Sequence, residues 1–114
     1  MAKRYKVYTD GSVRVKDGKS YCAWALLIVD MKKNIICDIR RGAHFGKTIG
    51  QMELYPIQRA LELVPSFDAE FYSDSQYAIK ALTIWFKSWL ANDWLNPLGQ
   101  PVKHADIVKA IPKL

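Results

Sequence analysis

The chain has 114 residues, half of them apolar, and 17 Lys and Arg against 11 Asp and Glu give a formal net charge of +6. That length makes one domain, residues 1–114, with a single hydrophobic core and no room for a second, and the charge favours polyanionic partners over acidic small molecules. No apolar run approaches the ~20 residues of a membrane span, and Met1-Ala2-Lys3-Arg4 leads into a strand pattern rather than a signal-peptide core, so the expected location is cytoplasmic.

Arg4 to Thr9 reads as a first strand, Val13 to Ser20 with Asp17-Gly18 as the turn, Tyr21 to Val29 as a second strand and Ile35 to Gly42 as a third. Asp30 to Asn34 is the polar turn between the last two, which makes an antiparallel meander. Cys22 and Cys37 lack metal-ligand spacing and are not opposite each other in that hairpin, so both are read as small core residues. Leu54, Ile57, Leu61 and Val64 fall on one helical face, Pro65 stops that helix, and Ala69 to Ser73 returns to strand pattern. A right-handed crossover then lays the fourth strand parallel to the first, in the order 3-2-1-4. Short helices follow at Ser75 to Leu82, Ile84 to Ala91 and Lys103 to Ala110, the last ended by Pro112.

Two segments share a pattern, Tyr8-Thr9-Asp10-Gly11-Ser12 and Tyr72-Ser73-Asp74-Ser75-Gln76, each with an Asp where a strand should give way to a turn or helix. In parallel neighbours these carboxylates meet beyond one end of the sheet, where such folds gather ligands. Thr48-Ile49-Gly50-Gln51-Met52-Glu53-Leu54 opens a helix with a third acid in its first turns. Three converging carboxylates repel unless cations lie between them, and the inferred occupant is a pair of divalent metal ions.

Thr9-Asp10-Gly11-Ser12, Gln51-Met52-Glu53-Leu54 and Ser73-Asp74-Ser75-Gln76-Tyr77, followed by Trp85, Trp89, Trp94 and Pro101-Val102-Lys103, resemble the bacterial type 1 ribonuclease H family over almost the whole chain. The resemblance implies an α/β ribonuclease H-like fold with a mixed sheet and metal-dependent cleavage of the RNA strand of RNA/DNA hybrids. It implies that Asp10, Glu53 and Asp74 are the catalytic, metal-binding carboxylates for two Mg2+ ions, with Mn2+ able to substitute. Hard cations take oxygen ligands, where a His/Cys set would suggest zinc. It further implies that Thr48 is a helix-capping phosphate contact, that Ser75 and Gln76 are minor-groove contacts, and that Gly11, Ser12, Gln51 and Lys103 also meet the substrate.

Four departures from the family pattern stand out. The family's fifth strand, His loop and last helix, which carries a fourth Asp, have no counterpart after Ala110. Ile49-Gly50-Gln51 replaces an Asn- or Gln-rich stretch. Pro56, three residues after Glu53, withholds an N–H from the Met52 carbonyl, so a kink or bulge is expected there. The tryptophan-bearing segment Trp85 to Trp94 contains one Lys and one Asp, so it is not a basic handle.

Blander readings stand beside these. A lone Asp before Gly or Ser is usually a cap or a surface acid, and only the three acids together favour metal. Trp85, Trp89 and Trp94 are read as packing before stacking. Asp106 is a substitute fourth ligand or a plain helix acid, the second being preferred; His44 and His104 are read as hydrogen-bonded or solvated, with His104 as stand-in for the loop His the alternative. Arg40-Arg41 and Lys32-Lys33 are read as solvated hairpin charges. The second strand is apolar on both faces, so a sheet face with Trp24, Leu26 and Ile28 uncovered, together with an open edge at Ala69 to Ser73, would draw a second copy or another polypeptide. Alternatives to the enzyme reading are a non-catalytic hybrid-binding or assembly module of the same fold and a DNA-cutting, integrase- or resolvase-like relative.

Overall fold

The computed structural model describes residues 2–111. Strands β1 (Tyr5–Lys16), β2 (Lys19–Asp30) and β3 (Ile35–Phe45) form the antiparallel meander, and β4 (Ala69–Tyr72) lies parallel to β1, giving the expected order β3-β2-β1-β4. The first hairpin is longer than its sequence reading. Asp17 (φ 52°) and Gly18 (φ 74°) close it in two residues, both at the positive φ that a type I′ turn needs, so the ladder runs out to Lys16 opposite Lys19. Val13 to Ser20 is therefore mostly strand, and Asp10 sits inside β1 rather than at its end. β3 likewise continues past Gly42 to Phe45.

Cys37 corrects a second expectation. Ile28 pairs with Asp38 and Val29 with Ile36, so Cys37 is the extra residue of a bulge and is exposed, whereas Cys22 is buried. At the second turn, Arg4 donates to Asp30 through Nε (3.2 Å) and Nη2 (2.9 Å), and the N–H groups of Lys32 and Lys33 donate at 3.0 and 3.2 Å. These bonds, Arg4's first, hold the Asp30 carboxyl down to about 2.

Helix α1 (Ile49–Leu61) starts on a capping box: the Thr48 hydroxyl accepts from the Gln51 N–H, and Gln51 Oε1 accepts from the Thr48 N–H. It is buried on two sides. Met52 and Ala60, with Val64 beyond the helix end, pack on Val7, Trp24, Leu26 and Ile28 of the sheet. Of the residues read on one helical face, Leu54, Ile57 and Leu61 face the later helices through Ala78, Leu82, Val108 and Ile111, while Val64 joins the sheet side. A helix apolar on two sides gives a period that does not say which neighbour takes which stripe. The chain beyond α1 ends its turn at Leu63 and Val64, before Pro65, and reaches β4 through a short 3-10 turn at Ser66–Asp68.

After β4, the expected separate helices are one continuous run: α2 (Gln76–Lys80), a π segment (Ala81–Trp85) and α3 (Phe86–Ala91), with α4 (Ala105–Ala110) later. α1 thus lies between the sheet and these helices. Among the described residues nothing packs on the other sheet face, which is not the face foreseen: Trp24, Leu26 and Ile28 are buried under α1, while Ala23 and Ala25 are exposed. Both faces of β2 are apolar, so only tertiary packing distinguishes them. Among the described residues no helix is long and apolar enough to cross a membrane.

Candidate active site

The parallel register of β1 and β4 ends at Tyr8 opposite Tyr72, whose rings stack with centroids 5.0 Å apart. Asp10 and Asp74 each lie two residues further on, and both are exposed. Asp10 is on the bare face, alternating with buried Val7 and Thr9, and its Oδ1 accepts the Gly11 N–H at 2.9 Å.

Glu53 reaches this corner because of Gly11 and Pro56. α1 runs unbroken across Pro56 and has no bulge there. The irregular turn is the later π segment instead. The Met52 carbonyl, to which Pro56 offers no N–H, lies against Gly11: a Cβ there would be 2.3 Å from that oxygen and 2.8 Å from the Glu53 nitrogen. Only glycine lets β1 and α1 approach this closely, and that approach sets Glu53 beside the Asp10 segment.

Ser75, an expected substrate contact, makes two hydrogen bonds within the fold. It is buried, it caps α2 by accepting from the Ala78 N–H at 3.0 Å, and its hydroxyl donates to Glu53 Oε2. The residue after Asp74 therefore orients the acid of α1. An N-cap signal, Ser before a helical run, was legible in the sequence and would have indicated that this hydroxyl is engaged. Near Glu53, the Tyr77 hydroxyl is a buried polar atom without a hydrogen-bond partner among the described residues; burial, then the Glu53 charge, push its pKa up.

Backbone and sequence thus bring three acid-bearing segments together, although among the described residues no three His, Cys, Asp or Glu side chains are gathered closely enough to hold a metal ion. The donor set is all oxygen, with Glu53 already oriented by Ser75, which suits a hard divalent cation rather than zinc. Asp106 is not brought to the three: it lines a separate cavity with His44, Lys47, Gln51, Tyr55 and Gln58.

At the N-terminus of α1, Thr48 Oγ1 and His104 Nε2 share a hydrogen bond of 3.0 Å. His104 has a left-handed backbone (φ 61°, ψ 24°), and its ring packs over Gly50 and edge-on to Tyr77. Burial, then Lys103, hold its pKa below the ordinary histidine value against the opposing pull of Asp106. Sequence reading missed this bond because the partners lie 56 positions apart. Of the other expected substrate contacts, Gln51 is engaged in the capping box, Gly11 is partly buried, and Ser12, Gln76 and Lys103 are exposed. Trp85, Trp89 and Trp94 form a chain with Tyr77, with centroids about 6 Å apart. Trp89 and Trp94 pack on the helical core as expected, and Trp85 is exposed.

The family model for RNase H matches residues 2–114. The ribonuclease H of Marinobacter nauticus is 32% identical over 108 residues, covering 94% of this chain and 70% of that protein. The ribonuclease HI of Caulobacter vibrioides is 34% identical, covering 97% and 72%. The chain thus spans about 70% of the length of such relatives. Among solved structures, the foamy viral protease-reverse transcriptase in complex with an RNA/DNA hybrid is similar with a TM-score of 0.82 at 16% identity, over 95% of this chain and 15% of that one. LC9-RNase H1, a type 1 RNase H with the type 2 active-site motif, gives 0.63 at 18% identity over 96% and 55%. These two structural likenesses bear on the fold, and they agree with the mixed sheet and its order.

Proposed function

Because this chain belongs to the ribonuclease H family, and with it to that enzyme class, we propose that it hydrolyses the RNA strand of RNA/DNA hybrids with Asp10, Glu53 and Asp74 as ligands for two Mg2+ ions, replaceable by Mn2+. The family implies a divalent metal requirement in general terms; the identity and number of the ions belong to this proposal. When bound, such a pair activates water and stabilises the leaving oxygen of an in-line displacement at phosphorus.

The observation that carries the reading is the tie of both strand-end segments to the helix: Ser75, adjacent to Asp74, donates to Glu53, while Gly11, adjacent to Asp10, abuts the Glu53 backbone. Ser75 holds Glu53 in one orientation before substrate arrives, which lowers the ordering cost of assembling the site. Asp10 and Asp74, both exposed, face the solvent from which a phosphate would come. Thr48, fixed by Gln51 and His104, presents the start of α1, where free N–H groups and the helix dipole favour a second phosphate. The relative solved with an RNA/DNA hybrid makes that duplex the first substrate to offer.

The test offers labelled hybrid, duplex DNA and duplex RNA to the protein with Mg2+ or Mn2+. Cleavage of the RNA strand in the hybrid alone, dependent on metal and lost in Asp10→Asn, is the expected result. Cleavage of duplex DNA in preference would favour the integrase-like relative, and metal-independent binding without cleavage would favour the assembly module.

A further inference from the structure

Gly50 and His104 have no part in the metal chemistry, and the structure brings them together at the start of α1. His104 is the N-cap residue of α4, yet its side chain makes no capping bond there; it crosses to α1 and shares a 3.0 Å hydrogen bond with the Thr48 hydroxyl. Two features allow this. The His104 backbone is left-handed (φ 61°), a conformation that histidine adopts more readily than most residues. Gly50 opens the path, since a Cβ there would lie 2.9 Å from His104 Nε2 and 3.1 Å from Tyr77 Cε2.

The hydrogens of the pair decide what it can offer an anion. The Thr48 hydroxyl has one hydrogen and two lone pairs, one of which accepts from the Gln51 N–H at 3.2 Å. With neutral His104 the pair holds two hydrogens, the hydroxyl's and one on the ring, and the mutual bond uses one of them. One is left, on Thr48 or on Nδ1 according to the tautomer. Protonation adds a third. Nε2 then donates to Thr48 and fills the second lone pair, so the hydroxyl hydrogen and the Nδ1–H are both left, beside a positive charge. Gln51 Oε1, 3.4 Å from the hydroxyl, is a weak competitor and already holds the Thr48 N–H. The protonated pair is thus the better anion receptor, at the end of a 13-residue helix whose first N–H groups already favour negative charge.

The groups around the ring leave it free to titrate. Lys103 opposes the proton and Asp106 favours it, both from His104's own segment. α1 faces the ring with uncharged Thr48 and Gly50, and Lys47, next to Thr48, is exposed. α2 faces it with Tyr77, which stays neutral because burial, then the Glu53 charge, push its pKa up. Burial leads in holding His104 below its ordinary 6.5, so the ring is mostly unprotonated at neutral pH. A phosphate brings the negative charge that would hold the proton.

We propose that binding of a substrate phosphate at the start of α1 is coupled to uptake of one proton by His104, so that the protein holds a hybrid more tightly as pH falls below neutrality. The coupling rests on the reading of Thr48 as a phosphate contact of a hybrid nuclease. The only bond made is the second ring N–H; its proton comes from solvent and returns there when the phosphate leaves. Affinity is level above the pKa of the bound state, rises between the bound and free values, and levels again below the free one.

The experiment measures binding of a labelled blunt RNA/DNA hybrid by fluorescence anisotropy in EDTA, at constant ionic strength and well below the melting temperature. Between about pH 8 and about pH 5.5 the dissociation constant of the parent should fall by about tenfold, the equivalent of one unit of pKa displacement. His104→Asn keeps a side chain that tolerates the left-handed backbone and does not titrate, and should change by less than about twofold over the same range. His44 and the three acids are present in both proteins, so the difference isolates His104. A second measurement needs no variant: the His104 ring protons, followed by NMR, should titrate about one unit higher in the complex than in the free protein. Equal pH slopes in parent and variant, or a His104 pKa that does not move on binding, overturn the coupling and leave hybrid cleavage as proposed. Proton-coupled binding of a hybrid that is cleaved with neither Mg2+ nor Mn2+ keeps the coupling and rejects the nuclease reading. Absence of binding at every pH overturns both.

Discussion

The two faces of one sheet divide the work of this molecule. On the face under α1, Val7, Trp24, Leu26 and Ile28 are buried against Met52 and Ala60; on the other, one residue along each strand, Tyr8, Asp10, Ser12, Ala23, Ala25 and Arg41 meet solvent. The first face supplies stability, at about 2 kcal/mol for each fully buried large aliphatic side chain. The second supplies charge and open surface. The faces are not independent, because Gly11 belongs to the buried series and seats α1, and with it Glu53, beside the exposed Asp10. The covered face therefore sets where the exposed chemistry can occur.

The largest expected effect breaks the bare face alone. Asp10→Asn should lower hybrid cleavage by about a hundredfold or more, since a ligand to ions that stabilise transition-state charge is worth several kcal/mol. Its melting temperature should stay within a degree or two of the parent, because Asp10 is exposed and, among the described residues, bonded only to its neighbour's N–H. An active Asp10→Asn protein would remove Asp10 from the site.

Next in size is the covered face. Leu26→Ala should cost about 3 kcal/mol in urea unfolding, for a side chain that is 1% exposed and surrounded by packed neighbours. Leu27→Ala, the adjacent residue pointing the other way, should cost less than about 1 kcal/mol. Equal costs would mean that the bare face is covered in solution.

Gly11→Ala couples the faces. Its Cβ would fall 2.3 Å from a backbone carbonyl, a clash relieved only by moving α1 away from β1. The expected cost is about 2 kcal/mol of stability, typical of overpacking, together with a drop in cleavage larger than the stability loss explains, because Glu53 moves with the helix. Full activity at temperatures well below melting would show that the approach serves packing only.

How much of this was legible in the sequence depends on the range of the interaction. The meander, the parallel crossover and the strand order follow from local patterns of turn residues and alternation, and all were readable. The extent of β1 is less legible: Val13 to Ser20 reads as one eight-residue turn, but Asp17-Gly18 closes the hairpin in two residues. Which face of β2 lies under α1 was not readable, since Trp24, Leu26 and Ile28 alternate with residues almost as apolar. At the candidate site, the acid segments were identified from their motifs, while Ser75 with Glu53, Thr48 with His104 and Gly11 with Met52 link positions 22 to 56 residues apart and have no local sequence signal.

The smallest expected effect is a pH dependence of stability with two separate windows, one for each side of α1. Asp30, at the far end of β2, titrates at about 2 when folded, below its ordinary value of 3.8. A depressed carboxylate stabilises the fold above its unfolded value and stops doing so as pH falls through the folded one, so this contribution fades between about pH 4 and pH 2. His104 works in a higher window and through the opposite charge. Its pKa is lowered by burial and by Lys103, with Asp106 opposing, so the folded state resists the proton that the unfolded chain accepts. Stability is then complete above the ordinary histidine value near 6.5 and declines as pH falls through it towards the lowered folded value. Protonation also commits Nε2 to donating, and Thr48 Oγ1, which already accepts from the Gln51 N–H, must then accept from both. His104→Asn is the informative variant, because Asn tolerates the left-handed backbone at φ 61° and has no titration in this range. Urea midpoints measured from pH 7.5 to pH 5 should slope downward in the parent more than in His104→Asn, with the Asp30 window unchanged in both. Parallel slopes would mean that His104 takes up its proton without disturbing the start of α1.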